Sequence, residues 1–433
     1  MGRGDYDFFL KDRRRVPSWI TAYLPGEAAR PTPEDATALL ESLPLANVRE
    51  ARSRERVDSI WELEVSFTFE HDGPPAAMRV WAAPTEALSE VHVEWMGVTP
   101  AEHEAAKKSR WSIGVSTVFS SQPLRDFHRQ LRVLAAAAPE AVLAMDVPAC
   151  RPHPASWLRD AAASIVPPSP TSLFVIHAVY DEKDPTSSVW MHTHGLRRCG
   201  SVELEIMDVT RDDAGTLATL VNTVAAMFIE KGPSPPDKTF QAGKGLDLLW
   251  LPWEDGLKKV ATRLSGGNGD RDDVHSAPSG MLFVPSKGLF GKRYKSPAAH
   301  VPTLAENPLL YVSRMETERM ALQAQDRWPS FVQLQQEHAT RDDWAFLVKL
   351  GYPVDGAETD ADREHLWFQV HAVRGNDVDA TLTNEPYAVS TLRKDERKNH
   401  PVSMMSDWAI LNPMGHFTPD TLHLLRRRLV PGP

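Results

Sequence analysis

Two histidines, His192 and His194, lie two residues apart in the chain. On an extended chain, side chains at this spacing project from the same face, as metal ligands on a strand do. His177 lies in the apolar segment before them, and Glu203 lies in the segment after them. Two or three imidazoles with a carboxylate suit zinc or iron and leave an open position for water or substrate. The spacing is therefore compatible with a metal-dependent hydrolase.

The other interpretation of these histidines is structural. In this interpretation His192 and His194 are partly buried and hydrogen-bonded, next to a sharp turn at Gly195. Their spacing matches no known metal-binding signature. The structural interpretation is therefore favoured, and no metal or other cofactor is predicted.

Cys199 is a further candidate for chemistry. Arg197 and Arg198 precede it directly, and neighbouring cations lower the pKa of a thiol and make it more nucleophilic. A cysteine nucleophile also needs a base, for which His194 is the nearest histidine in the sequence. Unpaired cysteines are most often simply buried, which favours a structural role for Cys199.

The composition excludes several classes of function. The chain has 433 residues, and its 48 Lys and Arg against 58 Asp and Glu leave a net charge of −10. This acidic balance argues against a general nucleic-acid binder, and two cysteines exclude a disulfide scaffold. No apolar run reaches the roughly 20 residues of a membrane span, and the charged N-terminus lacks the apolar centre of a signal peptide. We therefore expect a cytoplasmic protein without nucleic-acid or membrane partners.

The patterns of apolar residues predict an α+β fold with mixed or antiparallel sheets and flanking helices. Alternation from Trp61 to Phe69 predicts a half-buried strand. Thr32 followed by Pro33 is typical of a helix N-terminus. Strand and helix patterns do not alternate regularly, which argues against a doubly wound fold.

Proline clusters and one glycine-rich segment indicate the domain boundaries. Helical sequence before residue 340 is predicted to break at Pro329. The predicted parts are an α+β domain over residues 1–255 with two sub-units that split near residue 105, a flexible loop or linker over 256–304, a helical connector over 305–340, and a small β-rich domain over 341–433.

The C-terminal region carries the motifs of a known family. These are Phe346–Lys349, Glu364-His365-Leu366-Trp367-Phe368, Leu382-Thr383-Asn384-Glu385-Pro386 and Ser406-Asp407-Trp408. With them, the stretch from Trp344 to Trp408 resembles a bacterial domain of unknown function typified by the YegJ-like proteins. The resemblance implies kinship without an established activity.

An upstream region resembles a second uncharacterised bacterial domain that accompanies the first. The residues that carry this likeness are Leu173–Val179, Trp190–Gly200 and Glu203-Leu204-Glu205-Ile206. The layout is also loosely similar to that of the suppressor-of-fused-like proteins. That likeness implies a protein partner, because some of those proteins are thought to be immunity partners of secreted toxins.

Polar residues of the C-terminal motifs form a second candidate site. Glu364, His365, Asn384 and Asp407 would gather at one end of a small barrel-like sheet. A structural role is favoured for them, because Asn384 suits a tight turn and Asp407 suits a cap. A small-ligand sensor is the corresponding functional alternative.

The leading hypothesis from the sequence is a non-catalytic protein that recognises another protein, as an immunity-like or regulatory factor. The common catalytic signatures, such as Gly-x-Ser-x-Gly, the phosphate loop and His-Glu-x-x-His, are missing. The acidic charge and the thirteen tryptophans suit a binding surface. The metal-dependent hydrolase that uses His192 and His194 is the alternative.

Overall fold

The computed structural model describes residues 3–11, 15–43, 47–51, 56–67, 76–85, 97–184, 186–260, 265–271, 275, 277–288, 291–306, 310, 313–357 and 362–429. The chain divides into two compact units, Met1–Ala162 with Ser169–Val312 and Ala163–Pro168 with Ser313–Pro433. Within the described ranges, every helix is too short or too polar to span a membrane.

The first sheet of the first unit is antiparallel throughout. Its strands are β1 (Ser18–Tyr23), β2 (Asn47–Glu50), β3 (Trp61–Phe67), β4 (Ala76–Pro84), β5 (Trp111–Thr117), β6 (Leu143–Asp146) and β7 (Arg151–Pro154). Their order is β2-β3-β4-β5-β1-β6-β7. The helices of this part are α1 (Arg3–Leu10), α2 (Pro33–Glu41), α3 (Pro100–Lys107), α4 (Pro123–Ala137) and α5 (Ala155–Ala163). The sheet includes residues on both sides of position 105, because β5 pairs with β4 along its length.

Two local predictions in this part are confirmed. The hydroxyl of Thr32 accepts a hydrogen bond from the backbone N–H of Asp35 at 3.1 Å, so α2 begins where its capping sequence predicts. The predicted strand that starts at Trp61 is β3, and Leu63 and Val65 are buried. The last two residues of that prediction, Thr68 and Phe69, lie outside the described residues.

The second sheet of the first unit mixes strand directions. Its strands are β8 (Val175–Val179), β9 (Val189–His194), β10 (Glu203–Val209), β11 (Phe240–Gln241), β12 (Asp247–Pro252), β13 (Ser279–Gly288) and β14 (Gly291–Lys295). The order is β11-β12-β13-β10-β9-β8, with β14 paired to β13. The β10–β13 pair is parallel, and the other pairs are antiparallel. The helices are α6 (Arg211–Lys231), α7 (Trp253–Gly256) and α8 (Val301–Ala305).

One face of the second sheet packs against α6. The apolar face of this helix is buried through Leu217, Leu220, Val221, Val224 and Phe228, and the helix contacts β9 and β10. Because side chains alternate along a strand, Met191, Leu204 and Ile206 belong to this buried core. The neighbours of these residues, among them Trp190, His192 and Glu205, are on the opposite face.

The segment 256–304, predicted as a flexible loop or linker, contains two strands of this sheet. β13 lies between β12 and β10 near the centre of the sheet. Its apolar part, Met281–Phe283, is buried. Short apolar runs flanked by glycine, proline and charged residues give little local evidence of a strand. Here the strand is stabilised by pairing with distant segments.

The described part of the second unit contains a six-stranded antiparallel sheet and three α-helices. The strands are β15 (Ala345–Pro353), β16 (Arg363–Arg374), β17 (Asp377–Leu382), β18 (Arg397–Pro401), β19 (Met405–Asn412) and β20 (Gly415–Phe417), in the order β18-β17-β16-β15-β19-β20. The helices are α9 (Arg314–Asp326), α10 (Trp328–His338) and α11 (Leu422–Leu429). The predicted helical connector over 305–340 therefore includes two helices of this unit, and the helices break at Arg327, next to the predicted Pro329.

Aromatic side chains pack together within the core of the second unit. Phe331 of α10 lies 5.2 Å from Trp408 of β19, measured between ring centroids, and the indole N–H of Trp408 donates to the carbonyl of Ala324 in α9 at 3.0 Å. Phe368 of β16 completes the fully buried centre. The predicted α+β class with a β-rich C-terminal part is confirmed.

Candidate functional site

Three histidines come together on the second sheet of the first unit. His177 of β8 lies directly opposite His192 of β9 in the antiparallel register. His194 follows two residues after His192 and shares its face of the sheet. Their ligand nitrogens all lie within 4.8 Å of one another. The ring centroid of His177 is 5.6 Å from that of His192 and 4.8 Å from that of His194.

Burial favours the neutral imidazole form of His177 and His192. His192 is 3% exposed and His194 is 8% exposed. Burial first, and then the positive charge of neighbouring histidines and Arg271, lowers the pKa of His192 to about 2. Burial also lowers the pKa of His177. A neutral imidazole offers a lone pair, which is the form that binds a metal ion.

A fourth histidine, His275, meets the cluster from a different part of the chain. Its Nε2 lies 3.1 Å from Nε2 of His192. Its ring centroid is 4.7 Å from that of His192 and 5.2 Å from that of His194. The sequence pattern missed this residue, because it lies in a segment predicted as a flexible loop and far along the chain from β9.

Nδ1 of His192 is buried and finds no hydrogen-bond partner among the described residues. An unsatisfied buried polar atom destabilises a fold by about 1–3 kcal/mol, so such an atom calls for an explanation. The ring of Trp190 lies against the same imidazole, with centroids 4.1 Å apart. One side of the cluster is therefore apolar.

Glu205 lies opposite His192 on the neighbouring strand but is fully engaged elsewhere. Its carboxylate accepts from the indole N–H of Trp190 at 3.1 Å and from two nitrogens of Arg271 at 2.9 and 2.6 Å. The hydroxyl of Ser279 also donates to it. Glu205 is the anionic half of a buried ion pair beside the histidines.

Glu203, a candidate from the sequence, caps the turn that follows β9. Its carboxylate accepts from the hydroxyl of Thr193 at 2.8 Å. It also accepts from three successive backbone N–H groups, those of Gly195 at 3.0 Å and of Leu196 and Arg197 at 3.2 Å. These four donors hold the end of the strand that carries His194.

Cys199, another sequence candidate, ends the 3₁₀ turn Leu196–Cys199 and is buried. Burial raises the pKa of its thiol to about 12. The guanidinium of Arg198, on which an activated thiol would depend, pairs with Asp146 instead. The environment of Cys199 is that of a structural cysteine.

The four C-terminal candidates make separate contacts. Glu364 accepts from the backbone N–H groups of Tyr387 and Ala388, both at 2.7 Å, and the side chain of Asn384 accepts from the backbone of Trp367 at 3.3 Å. These contacts connect backbone segments. No hydrogen bond joins any two of Glu364, His365, Asn384 and Asp407, all of which the structure describes.

His365 and Asp407 remain chemically distinctive within this group. Nδ1 of His365 lies 2.8 Å from the hydroxyl of Ser406. Burial raises the pKa of Asp407 to about 6, and Lys349 lies opposite it in the register. The histidine cluster of the first unit is nevertheless the denser collection of ligating groups.

The chain matches three family models. Residues 18–168 match the N-terminal model and residues 176–283 the C-terminal model of a protein of unknown function, DUF4026. Residues 316–432 match an uncharacterised protein conserved in bacteria, DUF2314. No curated protein and no solved structure matches the chain.

These matches confirm the expectation of uncharacterised domains, with one conserved in bacteria at the C-terminus. The YegJ-like name and the likeness to suppressor-of-fused-like proteins stay predictions. His177, His192, His194 and His275 all lie within the range matched by the C-terminal DUF4026 model. Three successive ranges of the chain thus match models of uncharacterised domains: the N-terminal and C-terminal parts of DUF4026, and then DUF2314.

Proposed function

We propose that the protein binds a divalent transition-metal ion through His177, His192 and His194 and uses it to hydrolyse a substrate. The observation that supports this most is the arrangement of the three side chains: a cross-strand pair and a second histidine two residues along the same strand. Three imidazoles with an open fourth position form the ligand set of many catalytic zinc sites.

The distances suit a tetrahedral ion. With zinc–nitrogen bonds of about 2.05 Å, the nitrogens of a tetrahedral site are about 3.3 Å apart. The ligand atoms of the three histidines lie within 4.8 Å of one another. Binding of one ion would therefore bring the three imidazole nitrogens closer together by up to about 1.5 Å.

The charges around the cluster favour activation of water. Neutral imidazole ligands would leave the full positive charge on the ion, and Glu205, the nearby carboxylate, is paired with Arg271. Such an ion would lower the pKa of a bound water to about 7. In the overall reaction the oxygen of water would bond to an acyl or phosphoryl group, the bond from that group to its leaving group would break, and the proton of water would go to the leaving group.

The first test measures metal content. Native mass spectrometry and elemental analysis of the purified wild type should find one zinc, iron or similar ion per chain, and the double variant His192→Ala/His194→Ala should bind none. His371→Ala/His416→Ala is the matched control, because it removes two exposed histidines of the second unit. Absence of a bound ion from the wild type after incubation with each metal would reject the proposal.

A less disruptive variant guards against loss of the fold. His177 is half-buried on β8, the edge strand of the sheet. We expect His177→Ala to keep the circular dichroism spectrum of the wild type and to lower metal affinity at least tenfold. Unchanged affinity in this folded variant would exclude His177 as a ligand.

The second test concerns hydrolysis. Chromogenic carboxylic esters and phosphodiesters should be cleaved by the metal-loaded protein, and a chelator should abolish the cleavage until metal is restored. If the metal-loaded protein cleaves neither class of substrate, the proposed metal site stands but the proposal that the protein is a hydrolase is rejected.

The earlier hypothesis of a protein partner stays a prediction. It depended partly on the tryptophans, and every tryptophan that the structure describes is buried or half-buried. Trp190, Trp250 and Trp408 are among the largest fully buried side chains. Packing accounts for these residues, so the histidine cluster is the stronger basis for a function.

A further inference from the structure

We propose that His275 is a fourth, exchangeable ligand of the metal ion and that Arg271 is the positioning residue that holds it in place. This inference rests on the proposed metal site. It adds a closed state in which all four positions of the ion are occupied by histidines. Substrate or water then enters where His275 leaves.

The position of His275 fits a shared ion. Its Nε2 lies 3.1 Å from Nε2 of His192, close to the separation of about 3.3 Å between two ligands of a tetrahedral zinc. Two neutral imidazoles at this distance share one proton in a single hydrogen bond. An ion between them would bind both lone pairs.

Arg271 connects the backbone of His275 to the sheet. Its guanidinium forms a bidentate ion pair with Glu205 and donates to the backbone carbonyls of Gly266 at 3.1 Å and His275 at 3.2 Å. Glu205 lies opposite His192 in the strand register. The contact chain from β10 through Arg271 to residue 275 therefore ends beside the metal ligands.

The ion pair is buried, and its guanidinium lies over two aromatic rings. Only 2% of the Arg271 side chain and 3% of the Glu205 side chain is exposed. The guanidinium lies 5.0 Å from the ring centroid of Trp190 and 4.2 Å from that of Trp253. A paired, stacked arginine of this kind fixes geometry more strictly than a lysine does.

Gly266 supports the same arrangement. Its φ is +90°, and an added Cβ would lie 2.5 Å from the ring of Trp190. Its N–H donates to the carboxylate of Asp270 at 2.8 Å. The backbone of this segment thus passes directly against the tryptophan that packs on His192.

His275 differs from the other three histidines in its position relative to the strands of the sheet. His177, His192 and His194 belong to paired strands, whereas His275 lies outside the strands and its backbone carbonyl accepts a hydrogen bond from Arg271. Removal of the His275 side chain leaves that hydrogen bond unchanged. Its replacement therefore separates the role of the ligand from the role of the segment.

The test uses the full chain loaded with Co²⁺, whose visible absorption reports coordination number and geometry. The wild type should show the strong absorption of a tetrahedral four-ligand site. His275→Ala should still bind one ion, with altered absorption, and should gain binding of thiocyanate at the vacated position. Arg271→Met, in which His275 is still present, should show the same altered absorption and the same thiocyanate binding. It should also lower metal affinity by about 10-fold to 100-fold.

The variants are arranged so that the two proposals fail separately. Arg271→Lys should restore part of the wild-type spectrum, and the double variant His275→Ala/Arg271→Met should match His275→Ala. Arg341→Met, at an exposed ion pair with Asp343, is the control. A wild type without bound metal overturns the proposed function. A His275→Ala spectrum identical to that of the wild type overturns only the fourth ligand.

Discussion

Arg198 and Asp146 form a bidentate ion pair in which both side chains are completely buried. The two nitrogen–oxygen distances are 2.7 Å. Arg198 follows β9 of the second sheet, and Asp146 ends β6 of the first. The guanidinium also donates to the hydroxyl of Ser18 at 3.1 Å and the carbonyl of Leu173 at 2.8 Å. This pair joins the two sheets of the first unit close to the strand that carries His192 and His194.

We expect Asp146→Ala to lower the free energy of unfolding by about 3–5 kcal/mol, because it leaves a buried guanidinium without its counter-charge. Urea denaturation followed by tryptophan fluorescence measures the loss. Removal of both charges in Asp146→Ala/Arg198→Met should cost less than the sum of the single changes. Arg341→Ala, at an exposed pair, should change stability by less than about 1 kcal/mol. A loss that small for Asp146→Ala would contradict the prediction.

Glu203 should act as a cap rather than as a metal ligand. Its carboxylate already accepts four hydrogen bonds from the turn after β9. Glu203→Gln leaves one acceptor oxygen, so we expect stability to fall by about 2–3 kcal/mol. Metal content per folded chain, measured by native mass spectrometry, should stay at the wild-type value. Loss of the ion without loss of stability would make Glu203 a ligand.

The sequence predicts the parts of the fold that depend on local pattern. The period-two alternation places His192 and His194 on one face of a strand, and the antiparallel neighbour brings His177 opposite. The cap at Thr32 and the helix break beside Pro329 also follow from local chemistry. In each case a few neighbouring residues determine the geometry.

The missed features depend on contacts between distant segments. His275 and Arg271 reach the cluster from a glycine-rich and aspartate-rich segment that shows no regular periodicity. β13 pairs in parallel with β10, and no local turn connects them. Sequence spacing alone does not show whether the carboxylate of Glu203 binds a metal ion with the histidines or accepts hydrogen bonds from the following turn. Only the three-dimensional structure shows which donors it accepts from.

Cys199 should be inert in the folded protein. With a pKa of about 12, only about one thiol in ten thousand is ionised at pH 8, and the side chain is buried. In Cys150→Ser, which keeps Cys199 alone, a thiol reagent should label less than one-tenth of the chains under native conditions. Full labelling should follow denaturation. Rapid native labelling of this variant would show that Cys199 is an accessible, activated thiol.

Asp407 should make the second unit less stable as the pH rises from about 4 to 6. The side chain is 9% exposed, and burial raises its pKa to about 6, above the usual value near 4. The folded chain therefore binds more protons than the unfolded chain in this window, so the free energy of unfolding falls as pH increases.

Asp407→Asn keeps an acceptor for the backbone N–H of Trp408, which Asp407 binds at 2.8 Å. We expect this variant to remove that part of the pH dependence and to be more stable by up to about 3 kcal/mol above pH 6. Urea denaturation at pH 4.5 and 7.5 tests this, with the exposed Asp343→Asn as the control. Equal differences between wild type and Asp407→Asn at both pH values would show that Asp407 titrates in its ordinary range.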